Sequence, residues 1–223
     1  MKVELLHHTP LYIADKAIAK CWDKEYDDVN YERIKRVGIK FKHASTLEHI
    51  NYTFDIDGIS RACLQELARH RHTSLSVKST RYTLKELKNS YNYVDYIVHT
   101  GNEKIDEYNR SKMVAIQNML KEGIPNDIVK YMLPEAYKTS LVWTINMRSL
   151  RNFLSLRTDK SALWEIRRLA SNIFQALPME HKYLFVDTIK RVSSQMRAEH
   201  FMSEGSYAED EEILEWYRSE YAE

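Results

Sequence analysis

The chain has 223 residues, a formal net charge of +1 at pH 7 and two cysteines. This length fits one folded domain, the near-zero charge argues against a general nucleic-acid binder, and two cysteines do not make a disulfide framework. No apolar run approaches the roughly 20 residues that cross a bilayer, and the N-terminus has no signal-peptide pattern. We therefore expect a cytoplasmic protein with no membrane partner.

The first half of the chain is predicted to contain two strands and three helices. The apolar alternation of Ile50 to Ile56 predicts a strand that Gly58 ends, and Lys2 to His7 predicts a shorter one. The predicted helices run from Pro10 to Trp22 with Thr9 as the N-cap, from Tyr31 to Lys42, and from Ile59 to His70. The residues after His70 are predicted to form a polar loop.

The second half is predicted to be mainly helical. Helices are predicted over Asn102 to Glu122, briefly after Pro125, and over Ser149 to Leu156, Ser161 to Leu177, His181 to Met196 and Ile213 to Tyr217, with one strand from Ser140 to Met147. Few strands separated by helices predict an α+β fold with a small mixed or antiparallel sheet. We expect one domain over residues 1–195 and an acidic tail over 196–223, which is either a solvated appendage or an intersubunit contact.

The most informative stretch runs from Arg69 to Tyr82. Two arginines alternate with two histidines at its start, and four hydroxyl residues and Arg81 follow. Arginine forks bind phosphate in a bidentate manner, and serine hydroxyls donate to the remaining oxygens. A basic helix end that complements the helix dipole is the alternative, but consecutive cationic groups repel one another unless anions neutralise them. The pattern therefore favours an anion site.

Two further clusters contain candidate site residues. Asn146 and Arg148 follow a predicted strand, and Asn152 and Arg157 lie on the next helix. Arg157 either extends to solvent at the helix end or points into a polar pocket. The third cluster, from His43 to His49, is equally explained by a capping box of Ser45 with Glu48.

These stretches together resemble the flavin-dependent thymidylate synthase (ThyX) family. The family pattern R-H-R, seven residues, then Ser is matched by Arg69, His70, Arg71 and Ser79. The resemblance extends to Ser79-x-Arg81-Tyr82, to His43-x-Ser45-x-x-Glu48-His49 and to Asn146-x-Arg148-x-x-x-Asn152-x-x-x-x-Arg157. Matching segments in the family's order cover roughly residues 5 to 190, so the resemblance includes the whole predicted domain.

The resemblance implies a homotetramer that converts dUMP to dTMP, with active sites where subunits meet. FAD, NADPH and 5,10-methylenetetrahydrofolate are the implied cofactor and cosubstrates. The residues implied to bind FAD are Ser45, Arg69, His70, Arg71, Asn146, Arg148 and Asn152. The residues implied to bind dUMP are Glu66, Arg69, Val77, Lys78, Ser79, Thr80, Arg81, Lys130 and Arg157. Arg157 is the implied catalytic residue and would stabilise the ionised uracil ring.

Three positions depart from the family pattern. Val77 stands where many relatives have Glu or Gln, so only its backbone could contact a ligand. Lys130 replaces an Arg, which keeps the charge but loses the bidentate fork. Glu66 stands where some relatives have Gln, and since a carboxylate repels phosphate we expect it to meet a sugar hydroxyl or an Arg.

Cys63 and Ser79 are the residues to consider as possible nucleophiles. Cys63 is predicted to pack in a helix with no neighbouring cation to lower its thiol pKa, so a cysteine nucleophile is not expected. A flavin that supplies reducing equivalents removes the need for one. Ser79 could be a nucleophile or a phosphate ligand, and its Arg neighbours favour the ligand.

Two rival functions remain open from the sequence. A non-catalytic nucleotide- or nucleic-acid-binding protein could use the same basic segments, although the net charge of +1 argues against a nucleic-acid partner. A metal site from His43, His49, His70 and His72 is disfavoured because the neighbouring arginines repel cations and no known metal-ligand spacing is present. We therefore predict no metal.

Overall fold

The fold is that of a computed structural model, which describes residues 1–190, 212–213 and 215–216. Its sheet has four strands: β1 (Lys2–His8), β2 (Asn51–Ser60), β3 (Thr73–Val77) and β4 (Lys138–Asn146). The strand order is β1-β2-β4-β3, and the sheet is antiparallel. The predicted α+β class is therefore confirmed.

Helices make up most of the remaining described structure. The longer α-helices are Tyr12–Cys21, Arg61–Ala68, Glu103–Lys121, Met147–Arg157 and Trp164–Ala176. Single α-helical turns are Tyr31–Ile34, Thr80–Thr83, Asn126–Val129 and Met179–Lys182, and Lys35–Lys40 is a π-helix. Turns of 3₁₀ helix cover Ala44–His49, Leu84–Asn89, Tyr93–Tyr96, Lys130–Met132 and Val186–Thr188. No helix among the described residues is long and apolar enough to span a bilayer.

The chain divides into two compact units, each assembled from three separate segments. Unit 1 contains residues 1–2, 56–69 and 75–142, and unit 2 contains residues 3–55, 70–74 and those from 143 onward. Each of the four strands has residues in both units. This interleaving agrees with the predicted single α+β domain, because neither unit is a continuous stretch of sequence.

The core of unit 1 is built around the Glu103–Lys121 helix. Asn102 caps the helix by accepting a hydrogen bond from the Ile105 N–H, and Gly123 follows it with a φ of 88°. Both features are expected at helix ends, because Asn is a favoured N-cap and Gly tolerates positive φ. The buried residues of this core are Leu84, Leu87, Ile97, Met113, Ile116, Leu120, Val129 and Tyr137.

The core of unit 2 contains a column of aromatic rings. Phe54 of β2 lies 6.1 Å from Trp143 of β4, and Trp143 makes an edge contact with Phe153 at 5.1 Å between centroids. All three side chains are fully buried. The inward alternation of Tyr52, Phe54 and Ile56 that predicted β2 is therefore real.

Two predictions about the ends of elements in the first half are wrong. The first helix begins at Tyr12, and Thr9 does not cap it, because the Thr9 hydroxyl accepts a hydrogen bond from the Asn51 N–H at 3.2 Å. Gly58 does not end β2 but lies within it at a φ of 74°. The strand continues to Ser60, whose side chain caps the next helix by accepting from the Cys63 N–H.

The polar stretch after His72 is strand β3 and not the predicted loop. Its sequence, Thr73–Val77, is rich in hydroxyl residues, and none of its side chains is buried. An exposed strand at the edge of a sheet lacks the buried apolar alternation that identifies strands from sequence. The sequence of β3 therefore contains no pattern that predicts a strand, although its pairing partner β4 was predicted.

The predicted helix from His181 to Met196 is also wrong over its described part. Met179–Lys182 is a single helical turn, followed by the Val186–Thr188 turn, and residues 191–196 lie outside the described range. Of the helix predicted from Ile213 to Tyr217, the described residues Ile213, Glu215 and Trp216 are helical, and Ile213 is buried. The boundary of the acidic tail stays a prediction.

Candidate functional site

The Met147–Arg157 helix places three of the candidate residues in unit 2. It begins where β4 ends, and the side-chain oxygen of Asn146 caps it by accepting from the Ser149 N–H at 2.8 Å. The capping oxygen is therefore committed to the helix, which leaves the Asn146 amide NH₂ as the donor for a ligand. The helix was predicted to begin at Ser149, but it begins two residues earlier, at Met147.

The two faces of this helix have different environments. Leu150, Phe153 and Leu154 are fully buried in unit 2. Arg148 and Asn152, one helical turn apart, are exposed and line a cavity on the other face. The apolar side therefore anchors the helix, and the polar side presents a guanidinium and an amide.

This cavity, which we call the arginine cavity, has a volume of about 520 Å³. Its lining residues are Glu48, His70, Arg71, His72, Asn146, Arg148, Ser149 and Asn152. Five of the seven residues predicted to bind FAD are thus brought together by the fold: His70, Arg71, Asn146, Arg148 and Asn152. Two guanidiniums and several hydrogen-bond donors make the cavity suited to an anionic ligand.

The remaining two predicted FAD residues lie elsewhere. Ser45 lines a second cavity of about 350 Å³, and Arg148 lines both cavities. Arg69 belongs to unit 1, where it is exposed at the C-terminal end of the Arg61–Ala68 helix.

Arg157 and His70 are hydrogen-bonded to each other within unit 2. The Nε of Arg157 donates to the Nε2 of His70 at 3.0 Å. The His70 ring also stands edge-on to Phe153, with centroids 5.0 Å apart. Phe153 and Arg157 are four residues apart on the same helix, so His70 contacts two side chains of one helix face.

The hydrogen bond from Arg157 specifies which tautomer of His70 is present. A guanidinium only donates, so the Nε2 of His70 must accept and cannot carry a proton. A neutral imidazole then has its proton on Nδ1. The contact orients the Arg157 guanidinium, which argues against a side chain that simply extends into solvent.

Glu48 lines the arginine cavity, although the sequence predicted that it caps a helix. The predicted capping box with Ser45 is wrong, because the Ala44–His49 turn has no side-chain cap. Glu48 Oε1 instead accepts from Arg148 Nη1 at 2.6 Å. The ion pair orients Arg148 in the arginine cavity. Glu48 occurs in the His43 to His49 motif, which was the only signal in the sequence that could have identified it.

The residues predicted to bind dUMP belong to unit 1, apart from Arg157. Ser79 precedes the Thr80–Thr83 turn, and its side chain makes no capping hydrogen bond. Arg81 is exposed, with its guanidinium 5.9 Å from the centroid of the Tyr82 ring. The Lys78 ammonium lies 3.3 Å from a carboxylate oxygen of Glu86, so part of its charge is compensated.

The other predicted dUMP residues are also located by the structure. Val77 is the exposed last residue of β3, and the half-buried Thr80 begins the turn that follows. Glu66 is half-buried in the Arg61–Ala68 helix. Lys130 is half-buried after the Asn126–Val129 turn, and the Asn126 amide donates to the Arg81 carbonyl at 3.0 Å.

The model of one protein family, described as thymidylate synthase complementing protein, matches residues 4–181. The chain belongs to the ThyX family. Flavin-dependent thymidylate synthase from Campylobacter jejuni is 56% identical over 198 residues, which cover 83% of this chain and 96% of that relative. The enzyme of the same name from Helicobacter pylori is 46% identical over 210 residues, covering 85% of this chain and all of that relative.

Solved ThyX structures agree with this assignment. The crystal structure of Helicobacter pylori ThyX with FAD and dUMP superposes with a TM-score of 0.81 at 45% identity, covering 85% of this chain and 100% of that one. The predicted resemblance to the ThyX family is therefore confirmed over nearly the same residues from which it was inferred.

Proposed function

We propose that the protein is a flavin-dependent thymidylate synthase that converts dUMP to dTMP, with methylenetetrahydrofolate as the carbon donor and NADPH-reduced FAD as the reductant. The observation that carries this proposal is the arginine cavity, which is lined by six residues of the family motifs. Relatives that share more than half of their residues with this chain are named for the same activity.

The arginine cavity fits part of an FAD molecule. Arg71 supplies positive charge, and Arg148 supplies a guanidinium whose charge is partly compensated by Glu48. Asn146 and Asn152 supply amide donors, and together these groups suit the phosphates and hydroxyls of a dinucleotide. The second cavity, lined by Ser45 and again by Arg148, offers room for a further part of the same ligand. Bound FAD would supply the reducing equivalents that turn the transferred carbon into a methyl group.

We propose that the dUMP phosphate is held by Ser79 and Arg81, with Lys78 and backbone groups nearby. The Ser79 hydroxyl is not used to cap the turn that it precedes, so it can donate to a phosphate oxygen. Glu66, Arg69, Val77, Thr80 and Lys130 are the further proposed dUMP contacts, of which Arg69 is also proposed to contact FAD.

Arg157 is the proposed catalytic residue. Its guanidinium is oriented by the bond to His70 before any ligand arrives. Because the guanidinium is already fixed in place, it would stabilise negative charge that develops on the pyrimidine, and Arg157 would not have to reorient first. His70 is thus proposed both to contact FAD and to position Arg157.

The cysteines support a mechanism without a thiolate nucleophile. Cys63 is fully buried in the Arg61–Ala68 helix, as predicted, and a buried thiol in apolar surroundings is inert. Cys21 is exposed and lines the second cavity. We therefore expect a Cys21→Ser and Cys63→Ala double variant to retain dTMP formation.

We also propose that the protein is a homotetramer. Tyr82 and Tyr131 of unit 1 are 69% and 84% exposed, and exposed tyrosines are enriched at protein interfaces. Light scattering of the purified protein tests this: four chains per particle are expected, and a stable monomer at the working concentration would contradict it. A cytoplasmic location and the absence of a nucleic-acid partner stay predictions.

The activity itself is tested by an omission assay. The complete mixture of dUMP, methylenetetrahydrofolate, NADPH and FAD should give dTMP, and leaving out any one component should abolish it. Product formation without NADPH and flavin would contradict the proposal. The rival, a nucleic-acid-binding protein, predicts instead no dTMP and oligonucleotide affinity that falls steeply with salt.

A further inference from the structure

A cluster of potential metal ligands lies in unit 2 among residues that line neither of the two cavities. His8 is the last residue of β1, and Glu180 and His181 lie on the Met179–Lys182 turn. One ligand atom from each of the three side chains lies within 4.8 Å of the other two. The cluster therefore joins a strand end to a helical turn that is distant in sequence.

Two histidine nitrogens of this cluster are buried. His181 is 1% exposed, so its ring nitrogens lie in the protein interior. The Nδ1 of His8 is buried and has no hydrogen-bond partner in the described part of the chain. An unsatisfied buried nitrogen is costly, and a ligand that occupied it would remove that cost.

The neighbouring Tyr52 gives one ring nitrogen of His181 a hydrogen-bond partner. The Tyr52 hydroxyl lies 2.7 Å from the Nδ1 of His181, and the tyrosine is fully buried. If Nδ1–H donates to that hydroxyl oxygen, the lone pair of Nε2 is available for a metal. The His8 and His181 rings stand edge to face with centroids 4.9 Å apart, so their nitrogens can converge.

We propose that His8, Glu180 and His181 form a binding site for Zn²⁺, with water as the fourth ligand. Two imidazoles and one carboxylate are ligands that Zn²⁺ accepts. At metal–ligand distances of about 2.0–2.2 Å, tetrahedral ligand atoms lie about 3.4 Å apart. The ligand atoms of the cluster lie within 4.8 Å of one another. Because Glu180 is exposed, its carboxylate can move to reach the shorter distance.

This site is separate from the proposed synthase chemistry. It would hold the end of β1 against the Met179–Lys182 turn, and a metal that binds only the folded chain stabilises it. The proposal is independent of the assignment of FAD or dUMP, since no residue of the cluster is among those proposed to bind either ligand.

The test is a calorimetric titration of the metal-free, Cys21→Ser protein with Zn²⁺ at pH 7. Replacing Cys21 removes an exposed thiol that could bind zinc by itself. We expect one zinc per chain, and removal of a ligand in His8→Gln or Glu180→Gln should weaken binding at least about 10-fold. The melting temperature should rise with Zn²⁺ in the parent and not in these variants.

The matched control is His7→Gln, because His7 is the exposed neighbour of His8 on the same strand and is outside the cluster. It should bind zinc like the parent. Since Glu180 is exposed, Glu180→Gln should fold normally, which keeps the test valid if His8→Gln does not. Equal zinc binding by the parent and Glu180→Gln, or an equal loss in His7→Gln, would overturn the proposal.

Discussion

Arg157 donates a hydrogen bond from Nε to the Nε2 of His70 at 3.0 Å, and the ring of His70 rests edge-on against Phe153. The bond joins the last residue of the Met147–Arg157 helix to the second residue of the R-H-R motif. Phe153 in turn contacts Trp143 of β4. A column of core aromatic rings thus supports the side chains that we propose act on the substrate.

Arg157→Ala should leave the fold and most flavin binding intact and remove turnover. Loss of one group that stabilises charge in the transition state typically lowers kcat about 10²–10³-fold. The measurement is steady-state dTMP formation together with flavin content. Arg168→Ala, at an exposed position of the Trp164–Ala176 helix, is the matched control and should be unaffected. Turnover by Arg157→Ala at the parent rate would remove Arg157 from the mechanism.

His70→Phe should keep an aromatic ring against Phe153 but remove the acceptor that orients Arg157. We expect kcat to fall by roughly 10-fold, and since His70 acts through Arg157 the two changes should not add. The double variant with Arg157→Ala should then be no slower than Arg157→Ala alone. A double variant that loses the product of the two single losses would show that the residues act independently.

Ser79→Ala should raise the KM for dUMP with little change in kcat. The Ser79 side chain makes no capping bond, so its removal should not affect stability. Ser111→Ala is a suitable control, because the Ser111 hydroxyl donates only to the Tyr108 carbonyl on an exposed helix surface. Complete loss of chemistry with unchanged dUMP binding would instead make Ser79 a nucleophile.

Asp106→Asn should destabilise the protein at pH 7 but not in strong acid. Hydrogen bonds from the Thr100 N–H, the largest cause, and from its hydroxyl lower the pKa of the buried Asp106 carboxyl below 3.8. Stability from a carboxyl with a lowered folded-state pKa is present above the unfolded pKa and is lost as the pH falls below 3.8. We expect a loss of roughly 1–2 kcal/mol at pH 7.

Urea unfolding at pH 7 and at pH 3 measures this difference. Asp127→Asn, at an exposed position, should have no comparable effect. A destabilisation by Asp106→Asn that is as large at pH 3 as at pH 7 would mean that the charge of Asp106 does not contribute.

Gly38→Ala should destabilise unit 2 and weaken flavin binding. A Cβ at Gly38 would lie 2.7 Å from Cδ2 of Leu47, in the Ala44–His49 turn that contains Ser45. Overpacking of this kind typically costs about 1–3 kcal/mol. Thermal melting and flavin titration measure the two effects, and Leu47→Ala should be less harmful in the Gly38→Ala background than alone. If the losses of stability from the two substitutions were additive, the alanine at position 38 would not clash with Leu47.

The sequence predicted the polar residues of the arginine cavity better than the strands and helices on which these residues lie. Arg71, Asn146, Arg148 and Asn152 were identified because they match the motifs of the ThyX family that the sequence resembles. β3 was missed because an exposed edge strand has no apolar alternation. The role of Glu48 was missed because its local explanation, a cap with Ser45, was sufficient without knowledge of Arg148, 100 residues away.

The His70–Arg157 contact could not have been predicted from spacing. The two residues are 87 positions apart, and neither has a periodic neighbour pattern that points to the other. The helix buries Leu150, Phe153 and Leu154 but leaves Leu156 51% exposed, so its apolar residues alone do not define the face that meets His70. The pairing itself depends on how the strands of the sheet are ordered.

The central claim, that arginines from separate stretches serve one flavin and one nucleotide, is tested most directly by a single-turnover experiment. The purified protein, reconstituted with FAD, is reduced with NADPH without oxygen and then mixed with dUMP and methylenetetrahydrofolate. We predict that the flavin reoxidises and that one dTMP forms for each reduced flavin. Protein that binds no flavin, or flavin that stays reduced while no dTMP appears, would contradict the account.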